Sequence, residues 1–149
     1  MRLALEEAAA AMRADEVPIG CVIVHEPTGR VIARAHNRRE SDSDPTAHAE
    51  ILALREAARE FGNWRLTDCV LVVTLEPCPM CAGAMINARV PRLIYGCADP
   101  KAGAVRTLYR LCDDERLNHR MAVEDGVLAD EAAQILRDFF QRQRSMGKK

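Results

Sequence analysis

The chain has 149 residues, 48% of them hydrophobic and 29% charged, with a formal net charge of −1 and a pI near 6.4. That length suits one domain over residues 1–149, burying roughly two-thirds of its unfolded surface, and the balanced charge excludes a globally basic nucleic-acid binder, so any RNA contact has to be local. No apolar run reaches the ~18 residues of a membrane span and the N-terminus has no signal-peptide core; the expectation is a cytoplasmic protein whose six cysteines are thiols and ligands rather than disulfides.

In residues 2–14, Leu5, Ala8, Ala9 and Met12 repeat at i, i+3, i+4 and i+7, which predicts a helix packed on a sheet. Residues 17–24 are apolar on both alternations, as in a strand covered on both faces. The turn EPTG at 26–29 then returns the chain as a second strand over 30–35, a hairpin that Asn37 ends. A polar loop over 38–44 leads to a helix with an expected buried stripe of Ile51, Leu54, Ala58 and Phe61. Residues 69–74 read as a central strand, followed by a turn at Pro77 and a second helix to about Ala88; residues 93–95 give a fourth strand. The charged segment 98–120 reads as a site-flanking loop with a short helix, and 121–124 as a fifth strand. Ala132, Ile135, Leu136, Phe139 and Phe140 mark a final helix, after which Arg142, Arg144, Lys148 and Lys149 form a basic tail. Strands alternating with helices imply right-handed crossovers, a mostly parallel sheet, and a site at the carboxyl ends of the strands.

The chemistry concentrates between positions 44 and 88. Cys78 and Cys81 stand three apart at a helix start, where their sulfurs share one side and the helix dipole favours thiolates. His48 is the natural third metal ligand, and three protein ligands leave a position for water, which separates a catalytic zinc from a structural one. Glu50 follows two residues later, about 200° around a regular helix from His48. The two side chains can still flank one spot if that spot caps the helix, which makes Glu50 a base for the bound water. The backbone amides of Ala49 and Cys78, near helix N-termini, are candidates to fix the base or the nucleophile.

His48-x-Glu50 with Pro77-Cys78-x-x-Cys81 resembles the zinc signature of the cytidine deaminase superfamily. The longer runs DPTAHAEI at 44–51 and LEPCPMCAGAMI at 75–86 resemble the bacterial tRNA-specific (wobble) adenosine deaminases in particular. Similarity continues through DPK at 99–101, NHR at 118–120, GVLAD at 126–130 and DFF at 138–140, and so covers nearly the whole chain. The resemblance implies an α/β protein with a three-layer α/β/α cytidine-deaminase-like fold around a central five-stranded mixed sheet. It also implies one Zn2+ per subunit, a homodimer, and an anticodon-loop substrate, an arginine tRNA with adenosine at the wobble position. Asn37 would hydrogen-bond the purine, and Asp99 and Lys101 of the flanking loop are candidate substrate contacts. Phe140 reads either as core or as a platform for an unstacked base. Where the family more often has a small Gly-Ser turn, Ala104-Val105-Arg106-Thr107 follows Lys101-Ala-Gly103 here.

The chemistry expected is attack of a zinc-activated water on C6 of adenine, with Glu50 carrying its proton to N1 and ammonia leaving to give inosine. A free-base or nucleoside deaminase of guanine or cytosine type shares the zinc motif; it lacks a use for the extended runs and the basic end. A zinc-stabilised RNA-binding module without turnover would have no use for Glu50. Cys21, Cys69 and Cys112 read as small apolar residues, Cys97 as a candidate for the pocket rim, and His25, His36 and His119 as non-ligand histidines.

Overall fold

β-branched and apolar residues concentrate in five segments that pair into one sheet. In the computed structural model, which describes residues 1–147, β1 (Gly20–His25), β2 (Arg30–His36), β3 (Cys69–Leu75), β4 (Arg92–Cys97) and β5 (Ala122–Glu124) lie in the order β2-β1-β3-β4-β5. Lys148 and Lys149, the end of the expected basic tail, lie outside the described residues. β1 pairs antiparallel with β2 and with β3, Cys21 opposite Val73; β4 is parallel to β3, Val73 opposite Tyr95, and to β5. The sheet is therefore mixed, as the resemblance implies, and not mostly parallel. Because β1 runs against both its neighbours, β2, β3 and β4 all point one way, and their carboxyl ends share one edge.

Helices cover both faces: α1 (Arg2–Arg13) and α5 (Ala129–Ser145) on one, α3 (Ala49–Phe61) and α4 (Pro79–Asn87) on the other, with the single turn α2 (Arg39–Asp42) at the edge. Alternate residues of β3 serve the two layers: Leu71 and Val73 join Leu93, Tyr95, Ala53 and Met85, while Val70 and Val72 join Val22 and Ala4. None of these helices is long and apolar enough to cross a membrane.

Four further expectations change. The first strand begins at Gly20 rather than position 17, because Pro18 has no N–H to give a ladder and Gly20 runs against α1, where a Cβ would stand 2.0 Å from the Ala4 carbonyl. The polar loop over 38–44 contains the one-turn α2. In α3 the buried side is Ala49, Glu50, Ala53, Leu54 and Ala57, with Ile51 and Ala58 half-buried and Phe61 exposed. Alanines one turn apart let the helix approach the sheet, leaving the bulkier residues at its margins. Segment 98–120 holds turns and no helix, since the amides of Val105, Arg106 and Thr107 bond to Glu76 rather than to carbonyls one turn back.

Candidate active site

Two helices begin at the shared carboxyl edge of the strands, and each uses a metal-donor residue where a helix usually places Ser, Thr, Asp or Asn. His48 is the N-cap of α3 and Cys78 the N-cap of α4, both with extended backbone and neither making a side-chain capping bond. Pro79 fits the first position of α4, where no N–H is required. Since His48 stands outside the helical turn, the 200° separation from Glu50 does not apply, and both residues line the same cavity.

His48 Nδ1 lies 3.7 Å from Cys78 Sγ and 3.6 Å from Cys81 Sγ, and the three donor atoms all fall within 4.8 Å of one another. Tetrahedral bonds of about 2.0 Å from zinc to nitrogen and about 2.3 Å to sulfur would separate the two donors by about 3.5 Å, close to the distances seen. The donor set and its spacing therefore fit a metal ion of the zinc type. The electrostatics agree with one thiolate already formed. The Cys81 thiol, then the His48 ring, hold Cys78 down to about 4 against its partial burial. The proton shared with Cys78, together with burial, pushes Cys81 far up. The bond to Cys78 raises His48.

Glu50 is 4% exposed. Burial pushes its carboxyl up to about 7, against the lowering effect of its own amide N–H and of His48. An acid held near neutrality beside three metal donors can both take up and release a proton at working pH.

The cavity above these groups encloses about 610 Å³, a size that accepts a nucleobase. Asp99 and Lys101 lie on one wall and Phe140 on another. Phe140 is 45% exposed, so it is not core; Phe139 takes the buried place. Cys97 lines the cavity, while Cys21, Cys69 and Cys112 are buried. Val17 and Ile19, expected in a strand, form part of its lip. Asn37 and Ala49 are buried and are not among the residues that line it; the Asn37 side-chain amide donates to Glu16 at 3.2 Å. His25, His36 and His119 bond to Thr28, Glu7 and the Val90 carbonyl, away from the metal donors.

Four residues near the site escaped the sequence reading. Arg39 and Arg137 add positive charge to the cavity lining. Glu76 is a buried acid that contributes to the lining, and Glu16 is a buried acid bonded to Asn37. Glu16 accepts from the amide and hydroxyl of Ser41 as well as from Asn37. Burial raises the Glu76 carboxyl, but the Thr107 hydroxyl and the amides of Arg106, Asp99 and Thr107 outweigh it and hold the group below the usual range. Its place in LEPC was the only available signal.

The chain matches the family described as MafB19-like deaminase over residues 1–144. It is 48% identical to a tRNA-specific adenosine deaminase of Streptococcus pyogenes serotype M1, covering 99% of this chain and 85% of that protein. The tRNA-specific adenosine deaminase of Bacillus subtilis strain 168 is 47% identical, with 99% and 91% covered. A structure solved in a study of A-to-I editing by tRNA:A34 deaminases at the wobble position of transfer RNA superposes with a TM-score of 0.86 at 48% identity, covering 91% of this chain and 97% of that one. A guanine deaminase from Nitrosomonas europaea is more distant, with a TM-score of 0.80 at 28% identity over 91% of this chain and 80% of that one. With its fold, its donor cluster and these likenesses together, the chain belongs to the MafB19-like deaminase family, among the tRNA-specific adenosine deaminases.

Proposed function

We propose that the protein is a zinc-dependent tRNA adenosine deaminase, a single domain over residues 1–149, that converts wobble-position adenosine to inosine. The observation that carries the reading is that Glu50, His48 and Cys78 line one nucleobase-sized cavity, with the buried Cys81 completing the donor cluster of His48 and Cys78. A zinc ion held by those three side chains would supply a water acidic enough to lose its proton near neutral pH.

Glu50 then acts at both ends of the reaction. It takes a proton from the attacking water and delivers it to N1 of adenine as C6 becomes tetrahedral. A second transfer lets ammonia leave from C6. The amides of Ala49 and Cys78 begin α3 and α4 and offer donors toward the nucleophile or base. Asn37, fixed through Glu16, hydrogen-bonds the purine. Asp99 and Lys101 contact the flanking backbone, and Phe140 stacks on an unstacked base. An anticodon loop suits this site because its bases unstack cheaply, whereas a duplex costs a few kcal/mol. The resemblance supports an arginine tRNA as the substrate, a homodimer as the working form and the cytoplasm as the place of action.

The test is to incubate the zinc-loaded protein with an anticodon hairpin carrying wobble adenosine, with guanine and with cytidine, and to measure inosine and ammonia. Inosine in the hairpin alone supports the reading; turnover of guanine without the hairpin would replace it with the free-base alternative. Glu50→Ala is expected to keep one zinc per chain and to lose at least about a thousandfold in kcat, combining loss of the proton carrier at both steps.

A further inference from the structure

The second buried acid at this end of the sheet has no part in the proton transfers just described, yet it organises more backbone than any ligand does. Glu76 is 2% exposed and sits between the end of β3 and the metal-bearing turn. Its Oε1 accepts from three successive amides, Val105 at 3.1 Å, Arg106 at 2.7 Å and Thr107 at 3.0 Å. Its Oε2 accepts from the Asp99 amide at 3.0 Å and from the Thr107 hydroxyl. Successive amides converging on one point form a concave nest that needs an acceptor at its centre. Gly103 completes the wrap, because a Cβ there would stand 2.3 Å from Oε2 and 2.6 Å from the Asp99 carbonyl.

We propose that Glu76 is the positioning residue for the substrate-contacting loop: its carboxylate gathers residues 99–107 and so sets Asp99 and Lys101 on the cavity wall. Both of those residues lie within the stretch that Glu76 closes, between the bond to the Asp99 amide and the bond to the Val105 amide. The Asp99 side chain adds the next layer, accepting from the amides of Lys101 and Ala102 at 2.8 and 3.2 Å. Among the described residues the carboxylate meets five donors, four N–H groups and a hydroxyl, so an amide in its place would turn an NH2 group toward donors. The same carboxylate bonds to none of His48, Cys78 and Cys81, and the donor cluster is complete without it. Its effect is therefore on substrate affinity and not on metal retention.

This inference rests on the reading of the cavity as an RNA-deaminating site, and the test separates the two. The zinc-loaded full chain, Glu76→Gln and Gly103→Ala are compared by zinc content, by amide hydrogen exchange and by kinetics on the wobble-adenosine hairpin. Each variant is expected to keep one zinc per chain, to exchange faster over 99–107 than elsewhere, and to raise KM about tenfold with kcat changed by no more than about threefold. The double variant is expected to fall short of the product of the two effects, since both act through one contact. Gly103→Ala keeps the carboxylate and probes the anchor even if Glu76→Gln folds poorly. Unchanged exchange over 99–107, an unchanged KM, or zinc loss in step with activity would each overturn the proposal. A wild-type chain that leaves the hairpin untouched would instead end the wobble-deaminase reading, and the exchange measurement alone would then decide the anchor.

Discussion

At the scale of single residues, Glu50 shows what burying an acid costs in stability. Its carboxyl is raised from 4.5 to about 7 by burial, so the folded state binds its proton more tightly than the unfolded chain does. Stability from this group is therefore greatest below about pH 4.5, falls as pH rises through the window from 4.5 to about 7, and stays reduced above it. A shift of that size corresponds to a loss on the order of 3 kcal/mol. Glu50→Gln removes the titration. In zinc-free protein, the urea-derived stability of the variant minus that of the wild type is expected to grow from near zero at pH 4 to on the order of 3 kcal/mol at pH 8. A difference independent of pH would show that Glu50 carries no buried charge. His48, Glu50, Cys78 and Cys81 were legible in the sequence because ligand chemistry and short spacing restrict them. Glu16 and Glu76 were not, because their burial depends on loops folding back from positions 37–41 and 99–107, which no local periodicity encodes.

At the scale of elements, the site depends on how closely helices approach strands. α5 brings Leu136 and Phe140 to the cavity, and it does so by lying against β4 at Gly96. A Cβ at that position would meet the Thr74 carbonyl oxygen at 2.5 Å and the Ala132 Cβ at 2.9 Å, so neither side can yield by a rotamer change. Gly96→Ala is expected to force α5 outward, to lower stability by about 1–3 kcal/mol, and to weaken hairpin binding through the displaced Phe140. An unchanged urea midpoint together with unchanged binding would show that the helix–strand contact has slack. The helix and strand order was readable from apolar periodicity, since each element presents a regular face. The buried side of α3 was misread for a related reason. Counting large apolar residues picked Ile51 and Phe61, whereas close packing on the sheet selects the small ones, Ala49, Ala53 and Ala57. Periodicity gives the face of a helix only when size and burial run together, and here they diverge.

At the scale of the whole molecule, a net charge of −1 has to be reconciled with a polyanionic substrate. The cavity resolves it locally: Arg39, Lys101 and Arg137 are the basic residues of its lining, while Arg30, Arg34, Arg38, Arg92, Arg106, Arg110, Arg116, Arg120 and Arg142 are paired with acids. Paired guanidiniums release few counterions on binding, so affinity for the hairpin should follow the three cavity cations rather than the total of 21 basic side chains. For single-stranded phosphates each neutralised charge contributes about 0.7 to the slope of log affinity against log salt, which gives a slope of about −2 per protomer. Titrating the hairpin by fluorescence anisotropy across a range of KCl concentrations measures it directly, and Lys101→Ala should make the slope shallower by about 0.7. A slope as steep as about −7 would mean that phosphates lie along a much wider surface, and would require the acid-paired arginines to exchange their partners for RNA. A slope near −2 that loses its share with Lys101 would locate the charge recognition at the cavity mouth, where the loop held by Glu76 presents it.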